Sequence, residues 1–490
     1  MNSRLTAPDE YELVERESFE SDEVFDLDSH DFQSSGRSAS SYASRVPLMG
    51  RAQALLSVLL PRWLLKQKGY QKLPARRSSL SQQRRMIIAF LVILTCVFNP
   101  SYTRPPKRYQ DLRARVEGSK DDGRANPGNQ KIFIAASIYD EGGTYLVGIG
   151  VKRIYENESG EDALSAQKTF ENEVQCRKSI VWDRNFTMQD VPHVSLPDGS
   201  KRIKRIAFLA EVRNRALLPL AKEMSSVQYD KILYLNDVLF RPVDAAQLLF
   251  STNHDKTGQA SYRAACAVDF VNPFKFYDTF ATRDADGYSM GVPFFPWFTS
   301  SGSGISRSDV LAGKDAVRVK SCWGGMVAFD ARPFQASQPL QFRASDDLYW
   351  DASECCLIHA DLMRQTGIVQ GGNVVGIYMN PFVRVAYSAR TLSWLYFTRR
   401  FERLYTLPHS LVNRLVGLPW FNPRRTEEAG KKVEEKIWVP NSDDKKGGSF
   451  QVQERRATGD GFCGRRGLQL IKESPREDEK NWEIMPVPPD

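Results

Sequence analysis

The chain has 490 residues, with 67 Lys and Arg against 59 Asp and Glu, and a formal net charge of +8. Hydrophobic residues make up 41% and charged residues 26%, which excludes a collagen, a coiled-coil rod and a wholly disordered chain. Spread over this length, the net charge does not indicate a nucleic-acid partner, and we expect none.

The first 85 residues have strongly segregated charge. Residues 1–31 contain eleven acids and two bases, whereas residues 32–85 contain eleven bases and no acid. Such a segment buries too little apolar surface to offset the entropy that its chain would lose on folding. We therefore predict a disordered cytosolic tail over residues 1–85.

An apolar segment follows at residues 86–103, and no charged residue occurs before Arg104. Its length is at the short end of the range for a membrane-spanning helix. It lies too far from the N-terminus for a cleaved signal peptide, and the larger basic run precedes it. The sequence predicts a single-pass signal anchor at 86–103 with the lipid bilayer as a partner, then a luminal stem at 104–130. The alternative is a helix buried in the core, because only 13 consecutive residues are strictly apolar. Glycosylation sequons at Asn157 and Asn185 agree with a luminal location.

Residues 131–422 alternate short apolar runs with helical periodicity. Runs at 131–136 and 231–235 are typical of buried strands, and residues 162–173, 213–225 and 353–363 have helical spacing. This alternation predicts an α/β domain with a mostly parallel sheet. Residues 423–490 carry 14 bases and 14 acids with few apolar clusters, which predicts a charged, loosely ordered C-terminal tail.

Six cysteines lie beyond the apolar segment, an even number that permits disulfides in an oxidising lumen. Their spacing does not determine the connectivity, and no Cys-x-x-Cys pair indicates a zinc or redox site. We therefore look for the chemistry elsewhere.

The first candidate site is the end of the apolar run 231–235, which leads into Asn236 and Asp237. Ligands of α/β sheets bind beyond the carboxyl ends of the strands. A carboxylate there could hold Mg²⁺ or Mn²⁺, which would neutralise a leaving diphosphate. The alternative is that Asp237 only shapes a turn.

Three further segments offer polar or aromatic groups, each with a purely structural alternative. Arg213 and Asn214 could contact phosphate and base or ribose, or could lie on a solvated helix face. Glu354 could orient an acceptor hydroxyl or stabilise a sugar cation, and His359 could bind the metal, although Glu354 also fits a capping box and His359 a packed core residue. Trp323, before two glycines, could stack on a sugar ring or belong to the core.

Taken together, these runs resemble a known family. The matching motifs are Phe-Ile-Ala-Ala at 133–136, Ile-Tyr-Glu-Asn at 154–157, Arg-Asn at 213–214, Tyr-Leu-Asn-Asp-Val at 234–238, Ala-Cys-Ala-Val-Asp-Phe at 265–270, Cys-Trp-Gly-Gly at 322–325 and Ser-Glu-Cys-Cys-Leu-Ile-His-Ala-Asp-Leu at 353–362. In their order and number they resemble the fungal cryptococcal-type α-1,3-mannosyltransferases of glycosyltransferase family 69, which are related to the capsule-associated proteins.

The resemblance implies a type II Golgi membrane protein with a GT-A-like, Rossmann-type nucleotide-sugar domain over residues 131–422. It also implies GDP-mannose as donor, a mannose-containing glycan as acceptor, Mn²⁺ or Mg²⁺ as cofactor, and transfer with retained α configuration. Carried over to this chain, it proposes catalytic roles for Glu354 and Asp269, donor binding by Arg213, Asn214 and Asn236, acceptor binding by Trp323, and metal binding by Asp237 and His359.

One departure from the family concerns the segment after the first strand. Only residues 140–153 separate that strand from the Ile-Tyr-Glu-Asn motif, where we expect a full helix, and a parallel crossover needs about a dozen residues or more. This shortening favours a second hypothesis, a catalytically inert homologue that scaffolds a glycosylation complex. A third is a protein whose basic segment at 37–85 binds anionic lipid or nucleic acid.

Overall fold

The computed structural model describes residues 79–97, 101–121, 123–140, 144–148, 171–172, 176–182, 191–222, 224–365, 376–441, 447–472 and 481–489. Most of the predicted tail at 1–85, nearly all of the predicted helix at 162–173, and the sequons at Asn157 and Asn185 lie outside these residues.

The predicted anchor at 86–103 is only partly helical. Helix α1 (Ser79–Val97) begins within the basic run and ends six residues before the predicted boundary, and a 3₁₀ turn occupies Ser101–Thr103. In the part of the chain that the structure describes, no helix combines the length and the apolarity that crossing a membrane requires. The chain divides after Phe90 into two units, and all elements described below belong to the second.

Seven further α-helices and eighteen strands are described in this second unit. The helices are α2 (Lys107–Gly118), α3 (Arg205–Ala221), α4 (Pro242–Ser251), α5 (Ile305–Leu311), α6 (Glu354–Gln365), α7 (Ala389–Thr398) and α8 (Thr406–Val416). The strands are β1 (Ile132–Asp140), β2 (Thr144–Gly148), β3 (Ile180–Trp182), β4 (His193–Ser195), β5 (Lys201–Ile203), β6 (Lys231–Leu235), β7 (Ala264–Asn272), β8 (Lys275–Phe276), β9 (Arg283–Asp284), β10 (Val317–Ser321), β11 (Met326–Asp330), β12 (Trp350–Ala352), β13 (Ile377–Ala386), β14 (Lys432–Pro440), β15 (Gly448–Arg456), β16 (Gly464–Arg466), β17 (Gln469–Ile471) and β18 (Trp482–Ile484).

The central sheet is mixed, whereas the sequence predicted a mostly parallel one. Its strand order is β3-β2-β1-β6-β11-β7-β13-β10-β9, with β8 paired to β7. The described pairs β1–β6 and β7–β13 are parallel, and the other described pairs of this sheet are antiparallel. The apolar runs did not distinguish the two arrangements, because a central strand is covered on both faces whichever way its neighbours run.

Helices cover both faces of this sheet, and the core is therefore divided into two layers. Alternate residues of β6 face opposite layers: Ile232 and Tyr234 pack with residues of α3 and α6, whereas Leu233 and Leu235 pack with residues of α4. The structure is an α/β domain, as the sequence predicted.

The segment after β1 does not form a parallel crossover in the described residues. β1 pairs antiparallel with β2, with Asp140 opposite Thr144, and β2 pairs antiparallel with β3. A hairpin therefore stands beside β1, where the family resemblance led us to expect a helix.

Residues 423–490, predicted to be a loose charged tail, include folded elements that return to the domain. β14 and β15 form a hairpin, and β16 pairs with β12 immediately before α6. A disulfide joins Cys356 on α6 to Cys463. The local composition of residues 423–490 did not predict these folded elements. The contacts of β16 and Cys463 are with residues about a hundred positions earlier in the chain.

Candidate functional site

The carboxyl ends of four strands lie along one edge of the central sheet. β6 and β7 are both antiparallel to β11, which lies between them, so they run in the same direction. β1 is parallel to β6 and β13 is parallel to β7, so these strands end at the same edge. We call this edge, with the loop 322–325 that leads into β11, the carboxyl edge.

Two glycines allow the loop 322–325 to pass closely over the strands. Gly324 and Gly325 have φ angles of 59° and 65°, in the left-handed region that favours glycine. A Cβ on Gly324 would lie 2.1 Å from the carbonyl oxygen of Ala267, and one on Gly325 would lie 2.4 Å from Cγ1 of Val238. The carbonyl of Gly325 accepts a hydrogen bond from the backbone N–H of Asn236 (2.9 Å), which ties the loop to the end of β6.

A buried arginine connects two elements of the carboxyl edge. Arg213 on α3 donates from Nε to Oε1 of Glu354 (3.0 Å) and from Nη1 to Oδ1 of Asn236 (2.9 Å). Burial acts to lower the pKa of Arg213, but the nearby Cys355 and Glu354 raise it above its usual value. The guanidinium is therefore a fixed positive charge at the end of β6. Glu354 itself is 3% exposed, so in this conformation it does not contact a ligand directly and influences the site by holding Arg213.

The ring of Trp323 packs against this arginine. Its ring centroid lies 4.5 Å from Cζ of Arg213, and the rings of Tyr234 and Phe342 lie 5.3 and 5.7 Å away. The side chain is only 4% exposed. The predicted stacking of an acceptor sugar on Trp323 does not fit this arrangement, because other side chains already cover the ring.

Asn214 is turned toward the backbone of a neighbouring segment. Its Nδ2 donates to the carbonyl oxygen of Phe342 (2.9 Å), and its Oδ1 accepts from the N–H of the same residue (2.8 Å). Both ends of the amide are therefore engaged, and the predicted contact with a donor nucleotide does not fit. Asn214 instead holds Phe342 against the arginine.

His359 lies in the core and not beside Asp237, with which the sequence predicted a shared metal ion. Its ring is fully buried against Phe329, with Nδ1 2.7 Å from the carbonyl oxygen of Cys355, and burial lowers the pKa of His359 to about 4. Within the described residues, the potential metal ligands close to His359 are the sulfurs of Cys266 and Cys322. These two sulfurs form a disulfide with each other and therefore offer no thiolate to a metal ion.

Two further carboxylates lie together beside the glycine loop. The backbone N–H of Asp278 donates to Oδ1 of Asp269 (3.1 Å), and the hydroxyl of Tyr387 donates to Oδ2 of Asp269 (2.9 Å). Gly324 N–H donates to Oδ2 of Asp278 (3.3 Å). Burial raises the pKa of both carboxyls, and the charge of Asp278 raises that of Asp269 further. Asp269 is 1% exposed and therefore orients its neighbours from beneath the surface.

Asp237 is the carboxylate that reaches solvent at this edge. Its side chain is exposed, and it forms no ion pair with any residue that the structure describes. The surrounding protein nevertheless raises the pKa of Asp237 by desolvation, an effect that the charge of Arg213 partly opposes. Because Asp237 is exposed, its carboxylate is open to a ligand.

A comparison with protein families identifies the matching segment. The family model for cryptococcal mannosyltransferase 1 matches residues 151–361. The match covers less than half of the 490 residues, and over that segment the chain is similar to this family. No curated protein and no solved structure matches the chain. This similarity supports a glycosyltransferase of the mannosyltransferase kind.

The segment that matches the family model contains Arg213, Asp237, Asp269 and Glu354, which the fold brings to one edge. A separate surface depression, bordered by Gln341 and Gln365, contains none of these residues. We therefore locate the candidate active site at the carboxyl edge.

The donor groups at this edge fit a divalent cation only in part. Asp237 offers one exposed carboxylate, whereas Asp269 and Asp278 already accept hydrogen bonds from neighbouring groups. Among the described residues, Asp237 belongs to no cluster of three close metal-ligating atoms. This arrangement fits Mg²⁺ or Mn²⁺ held jointly by one carboxylate, water and a diphosphate, which is how Mg²⁺ is commonly bound.

Sequence reasoning missed Asp278, Tyr277 and Tyr387. The rings of Tyr277 and Tyr387 have centroids 4.6 Å apart and are half-buried beside Asp269. Tyr387 directly follows β13, so the strand-end rule that identified Asp237 could have found it, had the apolar residues 377–386 been recognised as a strand. Asp278 has no comparable signal, because it lies in an irregular segment whose neighbours come from distant parts of the chain.

The carboxyl pair Asp269 and Asp278 leads to a pH-dependence prediction. The pKa of Asp269 is raised to about 7, so the folded state holds a proton that the unfolded state releases above about pH 4. The contribution of this group to the free energy of unfolding should therefore fall as the pH rises from about 4 to about 7. Asp269→Asn should flatten this part of the profile, measured by urea unfolding at several pH values. An unchanged slope in the variant would contradict the assignment.

Proposed function

We propose that this protein transfers a mannosyl residue from GDP-mannose to a mannose-containing glycan and forms an α-1,3 linkage with retained configuration. The observation that carries the proposal is the exposed carboxylate of Asp237 at the carboxyl edge, within the matched family segment. Nucleotide sugars bind at this edge in α/β folds, and a GT-A-like domain would place the diphosphate there.

Asp237 would hold the cation that bridges it to the donor diphosphate. When bound, Mn²⁺ or Mg²⁺ supplies positive charge that stabilises the leaving diphosphate. Asn236 lies next to Asp237, and its amide N–H₂ has no hydrogen-bond partner among the residues described. It is therefore able to donate to a donor oxygen, whereas its Oδ1 is fixed by Arg213.

Arg213 and Glu354 act as positioning residues in this proposal. Arg213 is 8% exposed, so its main effects are to orient Asn236 and to favour the ionised form of Asp237. Glu354 compensates the buried charge of Arg213 and fixes its direction. Both act without touching the substrate in this conformation.

In this proposal Tyr277 and Tyr387 provide the aromatic surface for a sugar ring, the role that the sequence analysis assigned to Trp323. Both rings are half-buried beside Asp269, and aromatic faces of this kind pack against the apolar faces of sugars. Asp269 accepts a hydrogen bond from the Tyr387 hydroxyl and so sets the direction of that hydroxyl group. We assign the pair to the acceptor or to the transferred mannose.

Burial of the candidate carboxylates bears on how the configuration would be retained. Glu354 and Asp269 are 3% and 1% exposed and are already hydrogen-bonded, so neither is placed to form a covalent glycosyl intermediate. This favours a front-face reaction, in which the acceptor oxygen attacks from the side of the departing diphosphate, over a double displacement. The Golgi location, the luminal orientation and attachment through residues 86–103 remain predictions from the sequence.

A transfer assay tests the proposal. Full-length protein is incubated with Mn²⁺, mannobiose or mannotriose acceptors, and GDP-mannose, GDP-glucose, UDP-glucose or UDP-galactose in parallel. We expect transfer from GDP-mannose, in a product that an α-1,3-specific mannosidase removes. Transfer from another donor would overturn the GDP-mannose assignment. Binding of GDP-mannose without transfer to any acceptor would favour the scaffold hypothesis.

A further inference from the structure

Helix α8 has its polar side toward the protein and its leucines toward the outside. His409 and Asn413 are buried: the His409 ring nitrogen Nδ1 lies 3.0 Å from Nη1 of Arg307, and Asn413 Oδ1 accepts from the N–H of Val292 (2.8 Å). On the opposite side the exposed fractions are 84%, 49% and 57% for Leu407, Leu411 and Leu415. A surface helix in water normally has the reverse arrangement, so this side is built for an apolar environment.

Exposed aromatic residues occur in the segments directly before and after α8. Trp394 and Phe397 on α7 are 51% and 40% exposed, and a chain of ring contacts at 5.6 to 6.2 Å continues from Phe397 through Phe401 to Tyr405, directly before α8. Beyond α8, Phe421 is 90% exposed. We define the leucine-aromatic face by its exposed residues Trp394, Phe397, Leu407, Leu411, Leu415 and Phe421.

The charge around the leucine-aromatic face is positive. Residues 387–423 contain five arginines and a single acid, Glu402. Of these arginines, Arg399 is largely buried beside Glu402 and does not contribute to the surface charge. Glu402 is buried and paired with Arg384 (2.8 Å), so it adds no negative charge to the surface. Arg390 and Arg414 are exposed at the ends of the two helices. The face is therefore apolar in its centre and basic at its border.

We propose that the leucine-aromatic face docks the folded domain onto a lipid surface, with its arginines toward the phosphates of the headgroups. Interfacial helices place leucine and aromatic side chains about 5–10 Å into the headgroup boundary, with Arg and Lys toward anionic headgroups. Side chains as exposed as Leu407 and Phe421 enter a fluid layer directly, whereas a protein partner would need a matching pocket for each. The end of the segment 86–103 lies beside this face, because the Tyr102 ring centroid is 4.6 Å from Cζ of Arg403. The proposed contact does not depend on the transfer activity.

Quenching of tryptophan fluorescence by brominated lipids tests where the domain meets the bilayer. Full-length protein is bound to vesicles that contain phosphatidylserine and brominated phosphatidylcholine. We expect Trp394→Phe with Trp420→Phe to remove a component of the quenching, because Trp420 is 38% exposed next to Phe421. Trp438→Phe, a half-buried tryptophan on β14, is the matched control and should leave the quenching unchanged. Equal quenching in the double variant and the parent would overturn the proposal.

A second set of variants separates lipid docking from self-association. Leu407→Gln, Leu411→Gln and Leu415→Gln combined should weaken partitioning onto anionic vesicles by at least about tenfold, since three apolar side chains lose their burial. Val452→Gln with Ile484→Gln, two side chains each 63% exposed elsewhere, is the control. Thermal unfolding should be the same for all variants. If the leucine variant changes the sedimentation of the detergent-solubilised protein but not the lipid quenching, the face is a protein interface and the proposal fails.

Discussion

Replacing Asp237 by asparagine should lower mannosyl transfer by at least ~10²-fold, or about 2.7 kcal/mol of transition-state stabilisation. Asparagine keeps the shape of the side chain and removes the charge that would hold a cation on the leaving diphosphate. The side chain is exposed and has no ion-pair partner in the described structure, so the substitution should not alter the stability of the fold. The kcat and the free energy of unfolding are measured for parent and variant.

Asp255→Asn is the matched control for this substitution. Asp255 is an exposed carboxylate in the turn after α4, where an asparagine oxygen can accept the same turn hydrogen bonds, so transfer should be unchanged. Chelation should abolish transfer by the parent, and Mn²⁺ should restore it. Because Asp237 has too few neighbouring ligands to hold an ion alone, Mn²⁺ binding followed by electron paramagnetic resonance should be tight only when GDP is present. Full activity of the parent in chelator, or an unchanged kcat in Asp237→Asn, would exclude the metal role.

Replacing Glu354 by glutamine should destabilise the protein by about 3–5 kcal/mol, because removal of one member of a buried ion pair leaves the other charge uncompensated. The Arg213 and Glu354 side chains are 10% and 4% exposed, and their N–O distance is 3.0 Å. Cys355 Sγ also donates to Glu354 Oε1 (3.3 Å), so the substitution disturbs a second contact. Urea unfolding of parent and variant measures the loss.

A double-mutant cycle isolates the contribution of the ion pair. Arg213→Met removes the charge that Glu354→Gln leaves uncompensated, so the double variant should be more stable than the sum of the two single losses predicts. Glu211→Gln is the control on the same helix, since Glu211 pairs with Arg215 at a partly exposed site and should cost no more than about 1 kcal/mol. Additive losses at Arg213 and Glu354, or equal losses at Glu211 and Glu354, would show that the buried pair is not coupled.

Local sequence pattern was sufficient for several elements of the fold and for one residue of the site. Lys231–Leu235 forms the strand that its apolar run predicted, and the helix predicted at 353–363 occurs as Glu354–Gln365. Both signals are local, because a short buried run and a 3.6-residue period can be recognised from neighbouring residues alone. Asp237 was found by the same means, from its place directly after β6.

Pairing direction, the C-terminal region and most of the site geometry required the tertiary structure. β11 lies between β6 and β7 and makes the sheet mixed, and no local pattern specifies which strand becomes a neighbour. The polar composition of 423–490 was interpreted as a tail, yet Cys463 is joined to Cys356 across 107 residues. In both cases the decisive contacts are long-range.

The sequence was enough to predict which chemical groups are present: an aspartate after a buried strand, an arginine, and a set of acids in the order found in a mannosyltransferase family. Which of these groups is open to a ligand depends on the fold. Trp323, Asn214 and His359 have residue types that suit sugars, nucleotides and metals, but the fold uses their polar and aromatic groups internally. The physical reason is that burial and hydrogen-bond partners depend on elements distant in sequence. The same residue type can therefore contact a substrate or stabilise the core.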